Sequence, residues 1–205
     1  MRACHAADHS GHDIAHIERV IKLAQYIQHH ERKGDIDIIT MAARLHDTID
    51  DKLTTAKSKH ALQTFFDDIA LDESDQLHIW HIINHMSYKG GKNNDVPLSI
   101  EGQIVRDADR LDALGAIGIA RTFQFAGHFG EAMWTEPTTM SDISDTAYDT
   151  LPNSAVKHFY DKLLKLKHLI HTPTAQRIAE QRHARMIQFL DDFFEEWQCD
   201  LPEYL

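Results

Sequence analysis

The chain is poor in several features that would narrow its role at once. Among 205 residues there are two cysteines, Cys4 and Cys199. Two thiols make no disulfide framework, and nothing points to an oxidising compartment. No apolar run approaches the ~20 residues that cross a bilayer, and residues 1–13 are polar and His-rich with no apolar signal core. Positive charge is scarce: 21 Lys and Arg stand against 32 Asp and Glu, a formal net charge of −11 with His neutral. Nucleic acid is therefore not expected as a partner, because a phosphate backbone is bound by a basic surface. A small anionic substrate held by a local cation stays compatible with this balance. No segment alternates as a strand, and there is no repeat, linker or low-complexity stretch. The expectation is a cytoplasmic protein with no membrane segment, a monomer or homodimer.

What is present is helical periodicity. With 42% hydrophobic residues, the chain is long enough for one core, read as a single domain over residues 1–205. Ile17, Val20, Ile21, Ala24 and Ile27 mark the first amphipathic helix. Gly34 ends it and Asp35 is placed to cap the next, which carries Ile38, Ile39, Ala42, Ala43, Leu45 and His46. A third helix is expected over about 57–71. Ser74 opens a fourth with Leu77, Trp80, Ile82 and Ile83 on its apolar side. Residues 87–97 read as a loop. Ser99 caps a helix running to about Phe123. The irregular stretch 127–149 is long enough to be functional or mobile. Two long C-terminal helices follow, split at Thr172-Pro173-Thr174. The expected fold class is all-α, a helical bundle.

Sixteen histidines require an argument for each candidate. His16 shares a helix face with Val20, Leu23 and Ile27, and His46 shares one with Ile39, Ala42 and Ala43. A core His bonded to backbone is the ordinary reading of either alone. Two inward His on successive helices, the second followed by Asp47, point to a divalent cation, which accepts imidazole nitrogen and carboxylate oxygen together. Asp109 has Val105, Ala113 and Ala116 at i−4, i+4 and i+7. A carboxylate on such a strip needs a cation or a pair with Arg106 or Arg110. Asp50 lies one turn beyond the His46-Asp47 pair, placed to accept a proton from water, or is solvated helix-end charge. Lys52 is a point charge for phosphate or an ordinary surface Lys. His85 and Lys89 border a Gly-rich turn within reach of a substrate, although spacing alone favours the surface. Arg19, Arg110 and Asp112 orient ligands or phosphates, or pair between helices. Gly115 and Gly118 suit close helix approach, since no strand precedes them.

Together these pieces resemble the HD-domain phosphohydrolase superfamily, whose pattern is His, then His-Asp, then a distant Asp: here His16, His46-Asp47 and Asp109. The resemblance narrows to a bacterial subgroup of small HD hydrolases that includes nucleoside triphosphate pyrophosphohydrolases. DxxHxxRV is matched by Asp13, His16, Arg19 and Val20, and HDxxDxK by His46, Asp47, Asp50 and Lys52. ISYKGG is matched from Met86 to Gly91 with Met for Ile. DADRLDALGAIGIARTF runs in full from Asp107 to Phe123. A C-terminal pattern is matched at Lys162, Leu163, Leu164, Leu166, Lys167, Thr172, Ala175, Ala179, Arg182 and Met186.

The resemblance implies an all-α, metal-dependent phosphohydrolase that cleaves a phosphoanhydride of a nucleotide, (d)NTP to (d)NMP plus pyrophosphate. It implies His16, His46, Asp47 and Asp109 as ligands, with Asp107 in reserve, and Asp50 and Lys52 as catalytic groups. Arg19, His85, Lys89 and Arg110 are the candidate substrate contacts. The cofactor would be Mn²⁺ or Mg²⁺, with Fe²⁺, Co²⁺ or Ni²⁺ open. His46 to Asp51 also resembles the HDxxED motif of alarmone (guanosine tetraphosphate) hydrolases, with Asp50 for Glu. A non-catalytic metal-dependent nucleotide sensor is the alternative outside enzymes. A cyclic-dinucleotide phosphodiesterase is disfavoured, because no Gly-Tyr-Pro tripeptide occurs.

Overall fold

Helix α1 (Ile14–Glu31) buries His16, Ile17, Val20, Ala24 and Ile27 along one stripe. In the computed structural model, which describes residues 14–49, 56–140 and 143–199, this stripe packs against two later helices, α2 (Ile36–Leu45) and α5 (Ile100–Asp112). Asp35 caps α2, its side chain accepting from the Asp37 and Ile38 N–H groups, as the sequence leads one to expect. α3 (Ala56–Asp68) and α4 (Glu73–His85) follow, and Asp72, not Ser74, precedes the latter. α4 buries Ile79, Ile82 and Ile83. Leu77, expected on that side, is 64% exposed, because it falls off the face defined by positions 79, 82 and 83. Ser99 accepts from the Gly102 N–H and caps α5.

The expected single helix from Ser99 to Phe123 is two helices. α5 ends at Asp112, Leu114 is extended (φ −112°, ψ 155°), and α6 (Gly115–Phe129) begins at a glycine with φ +75°. Only glycine adopts that backbone without strain. The reversal is tight: a Cβ on Gly118 would lie 2.2 Å from the Ala113 carbonyl oxygen. The break matters for the site, because nine residues of continuous helix would carry Arg121 about 13 Å along the axis from Asp112.

Between α6 and the C-terminal helices the described residues are largely irregular and include a short helix, α7 (Asp145–Tyr148); the irregular stretch expected over 127–149 begins only after Phe129, where α6 ends. The first of the two expected C-terminal helices is helical but broken. α8 (Ala155–His158) leads into a π-helical turn (Phe159–Leu163), then α9 (Leu164–Leu166) and a 3₁₀ turn (Lys167–Leu169). The second, α10 (Pro173–Gln198), starts with Pro at its first turn, where the missing N–H costs nothing. It packs on α6, α5 and α1.

The core runs from Val20 and Ile27 through Ile39, Ile82, Ile104 and Leu111 to Phe159, Met186 and Leu190. Its burial is the main force holding the bundle. Among the described residues there is no strand, only an isolated bridge between Ala132 and Ser154. No described helix is long and apolar enough to cross a membrane.

Candidate metal centre

Three helix ends converge on one point. α1 starts there with His16, α2 ends there in a 3₁₀ turn (His46–Ile49), and the last turn of α5 brings Asp109 and Asp112. His16 and His46 are 1% and 6% exposed. Each imidazole spends Nδ1 on the protein. His16 Nδ1 is 2.7 Å from Asp112 Oδ2, and His46 Nδ1 is 2.8 Å from the Ala43 carbonyl oxygen. Both partners accept, so in the neutral rings Nδ1 carries the proton and Nε2 keeps its lone pair.

The two Nε2 atoms face each other at 3.2 Å. Asp47 Oδ1 is 3.2 Å from His46 Nε2, and its Oδ2 is 3.4 Å from His16 Nε2. Asp109 Oδ1 is 3.5 and 3.7 Å from the Nε2 atoms of His16 and His46. Donor atoms of His16, His46 and Asp109 all lie within 4.8 Å of one another. Lone pairs and carboxylate oxygens brought this close repel unless a cation sits between them. Neighbouring ligands on an ion with bonds of roughly 2.1 Å are about 3 Å apart, so the donor set fits one divalent cation. The arrangement also resolves how adjacent residues serve one centre: α2 stops at Leu45, and the tighter turn swings Asp47 back toward His46.

Asp112 organises the surroundings. Arg19 Nε donates to its Oδ1 at 2.6 Å, and Arg19 Nη2 and Arg121 Nη1 donate to its Oδ2 at 3.0 and 2.7 Å. Burial would raise this carboxyl, but the bonds from His16 and Arg19 and the nearby positive charges outweigh it. They hold it well below the usual carboxylate range. A permanently ionised Asp112 fixes the ring orientation of His16, as carboxylates behind metal-binding imidazoles do.

Asp107, the reserve ligand, is fully buried and turned away. It accepts from the His171 N–H at 2.9 Å and from the Thr172 N–H and hydroxyl at 2.7 and 2.8 Å. Burial pushes its carboxyl up to about 6 despite those donors. Arg110 is also buried. It donates to the Leu169 carbonyl and to Asn94 Oδ1, and burial lowers it to about 10. Arg19 is committed to Asp112. His85 closes α4 with Nδ1 on the His81 carbonyl, and Lys89 is exposed on the turn Lys89–Gly91. Asp50 and Lys52 lie outside the described residues, as does Asp13. Arg121 is absent from the sequence-derived candidates. Its only signal was its place in the IARTF string, and the α5–α6 reversal alone shows why it reaches Asp112.

The HD domain family model matches residues 13–114, a span that contains His16, His46, Asp47 and Asp109. YpgQ of Bacillus subtilis (strain 168) is 42% identical over 186 residues, covering 88% of this chain and 82% of YpgQ. Its crystal structure in complex with ADP superposes with a TM-score of 0.70 at 36% identity, covering 96% of this chain and 93% of that one. A crystal structure of a Lactobacillus plantarum protein gives a TM-score of 0.81 at 40% identity, over 97% and 93% of the two chains. An HD-superfamily hydrolase from Bacillus thuringiensis gives 0.74 at 38% identity, over 97% and 93%. With a paired-imidazole and carboxylate cluster at the same helix ends that carry the His, His-Asp and Asp pattern, the chain belongs to the HD-domain superfamily of hydrolases.

Proposed function

We propose that the protein is a divalent-metal-dependent phosphohydrolase that cleaves a phosphoanhydride of a nucleotide, converting (d)NTP to (d)NMP and pyrophosphate. The observation that carries this reading is the facing pair of imidazole Nε2 atoms at 3.2 Å, flanked by Asp47 and Asp109 oxygens. Two carboxylates beside two imidazoles favour Mn²⁺ or Mg²⁺, and the imidazoles leave Fe²⁺, Co²⁺ and Ni²⁺ open. Such an ion lowers the pKa of water and offsets charge growing on phosphorus.

The protein groups supply the rest. Asp112 and Arg19 hold His16 in the orientation that presents Nε2. Asp50 takes the proton from the attacking water and Lys52 draws phosphate charge, both roles resting on the HDxxDxK match. The ADP complex of YpgQ supports a nucleotide as the ligand.

The test is turnover across a nucleotide panel with Mn²⁺, resolving pyrophosphate from orthophosphate. Pyrophosphate release is the expected result. Orthophosphate alone would replace this reading with a phosphatase, and binding without turnover would leave a sensor.

A further inference from the structure

We propose that the outer flank of α6 is the wall along which the nucleotide lies, with Arg121 taking a phosphate oxygen and Phe125 the face of the base. The proposal rests on the phosphohydrolase reading above and adds which residues recognise the substrate. α6 buries Gly115, Gly118, Thr122 and Ala126. Along a different side, Ile117, Arg121, Phe125 and Phe129 succeed one another at four-residue intervals, so they form one slanting row.

The row begins beside the metal centre, at the Nδ1 edge of His16. Arg121 Nη1 is 2.7 Å from Asp112 Oδ2 and 3.2 Å from His16 Nδ1. One carboxylate is shared by Arg19 and Arg121, so this group keeps a net positive charge. The Arg121 side chain is still 19% exposed, which leaves it accessible to an anion. One turn further, about 6 Å along the helix, Phe125 is 39% exposed, and Phe129 beyond it is 58% exposed. The two rings are 4.5 Å apart between centroids. A cation site, then an oriented guanidinium, then an open aromatic surface is the complement of a molecule with an anionic head and a flat body. A nucleotide has that shape, and base–aromatic stacking tolerates any base.

Calorimetric titration of the full chain with ADP and with inorganic pyrophosphate, both with Mg²⁺, separates the two halves of the wall. Phe125→Ala should weaken ADP binding about ten-fold, the scale of one base–aromatic stack, and leave pyrophosphate binding unchanged. Phe125→Tyr should restore it. Arg121→Gln should weaken both ligands alike with bound metal unchanged.

Equal effects of Phe125→Ala on the two ligands, or none on either, would overturn the base contact. So would a dimer, seen by sedimentation, that Phe125→Ala dissociates with ADP affinity intact. Loss of bound metal in Arg121→Gln would make Arg121 a support for His16 and overturn its phosphate contact. If the wild type binds neither ligand, the phosphohydrolase reading itself fails. If it binds both and only the variants behave as wild type, the wall alone fails.

Discussion

Two polar regions grow from the same stretch of α5. One gathers Arg106, Asp107 and Arg110 against segments 85–97 and 169–172. The other gathers Asp109 and Asp112 against His16, His46 and Asp47. In the first, the carboxylate is filled by protein donors: the His171 N–H and the Thr172 N–H and hydroxyl all end on Asp107. Arg106 donates to the carbonyls of His85 and Asn93. That region ties the loop before α5 and the turn before α10 to one helix. In the second, the groups that face one another, Nε2 of His16 and His46 and the oxygens of Asp47 and Asp109, are all acceptors when neutral His is present. A filled carboxylate is a structural joint, and acceptors aimed at acceptors need a cation. Asp107 and Asp109 differ by two residues in sequence and meet opposite surroundings, protein donors around one and facing acceptors around the other.

The largest expected effect that would break the comparison is on metal retention. His46→Ala removes one of the two facing nitrogens and should abolish tight metal binding and turnover. Metal content by plasma emission after dialysis, equal to wild type, would show that the cluster is not a metal site. Next is Asp50→Asn, which keeps size and hydrogen bonding but removes the base. Turnover should fall roughly 10²- to 10⁴-fold, the range for a general base, with metal retained. Wild-type turnover in that variant would assign the proton to another group.

Asp107→Ala sharpens the contrast from the other side. It strands the donors of His171 and Thr172, so urea denaturation should show a loss of about 3 kcal/mol or more. Metal content should stay at the wild-type level. A variant of normal stability that loses metal would exchange the roles of Asp107 and Asp109.

The smallest effect is a slope. Partial burial, with the charges of Arg106 and Arg110, lowers His171 to about 4 from 6.5. The neutral ring faces Arg106 Nη1 at 3.4 Å. As pH falls the unfolded chain takes up this proton first. The stability from neutral His171 is therefore present above pH ~6.5 and lost as pH falls through about 4. His171→Gln should flatten unfolding stability over that window in a pH series. An unchanged slope would mean that His171 does not feel the two guanidiniums.

Much of this molecule was legible before any coordinates. The stripes of α1, α2 and α5 and the caps at Asp35 and Ser99 follow from period and residue chemistry alone, which are local. The inward direction of His16 and His46 is equally local, since a helix face is set by spacing. Leu77 and the broken C-terminal helix show the limit: an apolar residue or a periodic run is compatible with more than one packing.

What the sequence by itself determined is the helical class, the caps and the residue types able to hold a cation. What only the tertiary structure decided is which groups each carboxylate meets. Asp107, Asp109 and Asp112 lie on one helix, and their roles depend on what other elements bring to them. His171 and Thr172 come from the far end of the chain, His16 from its start, and Arg121 through a reversal that Gly115 and Gly118 permit. Those partners are set by chain crossings between residues up to 96 positions apart. Spacing along a helix says where a side chain points, and only packing says what it meets there.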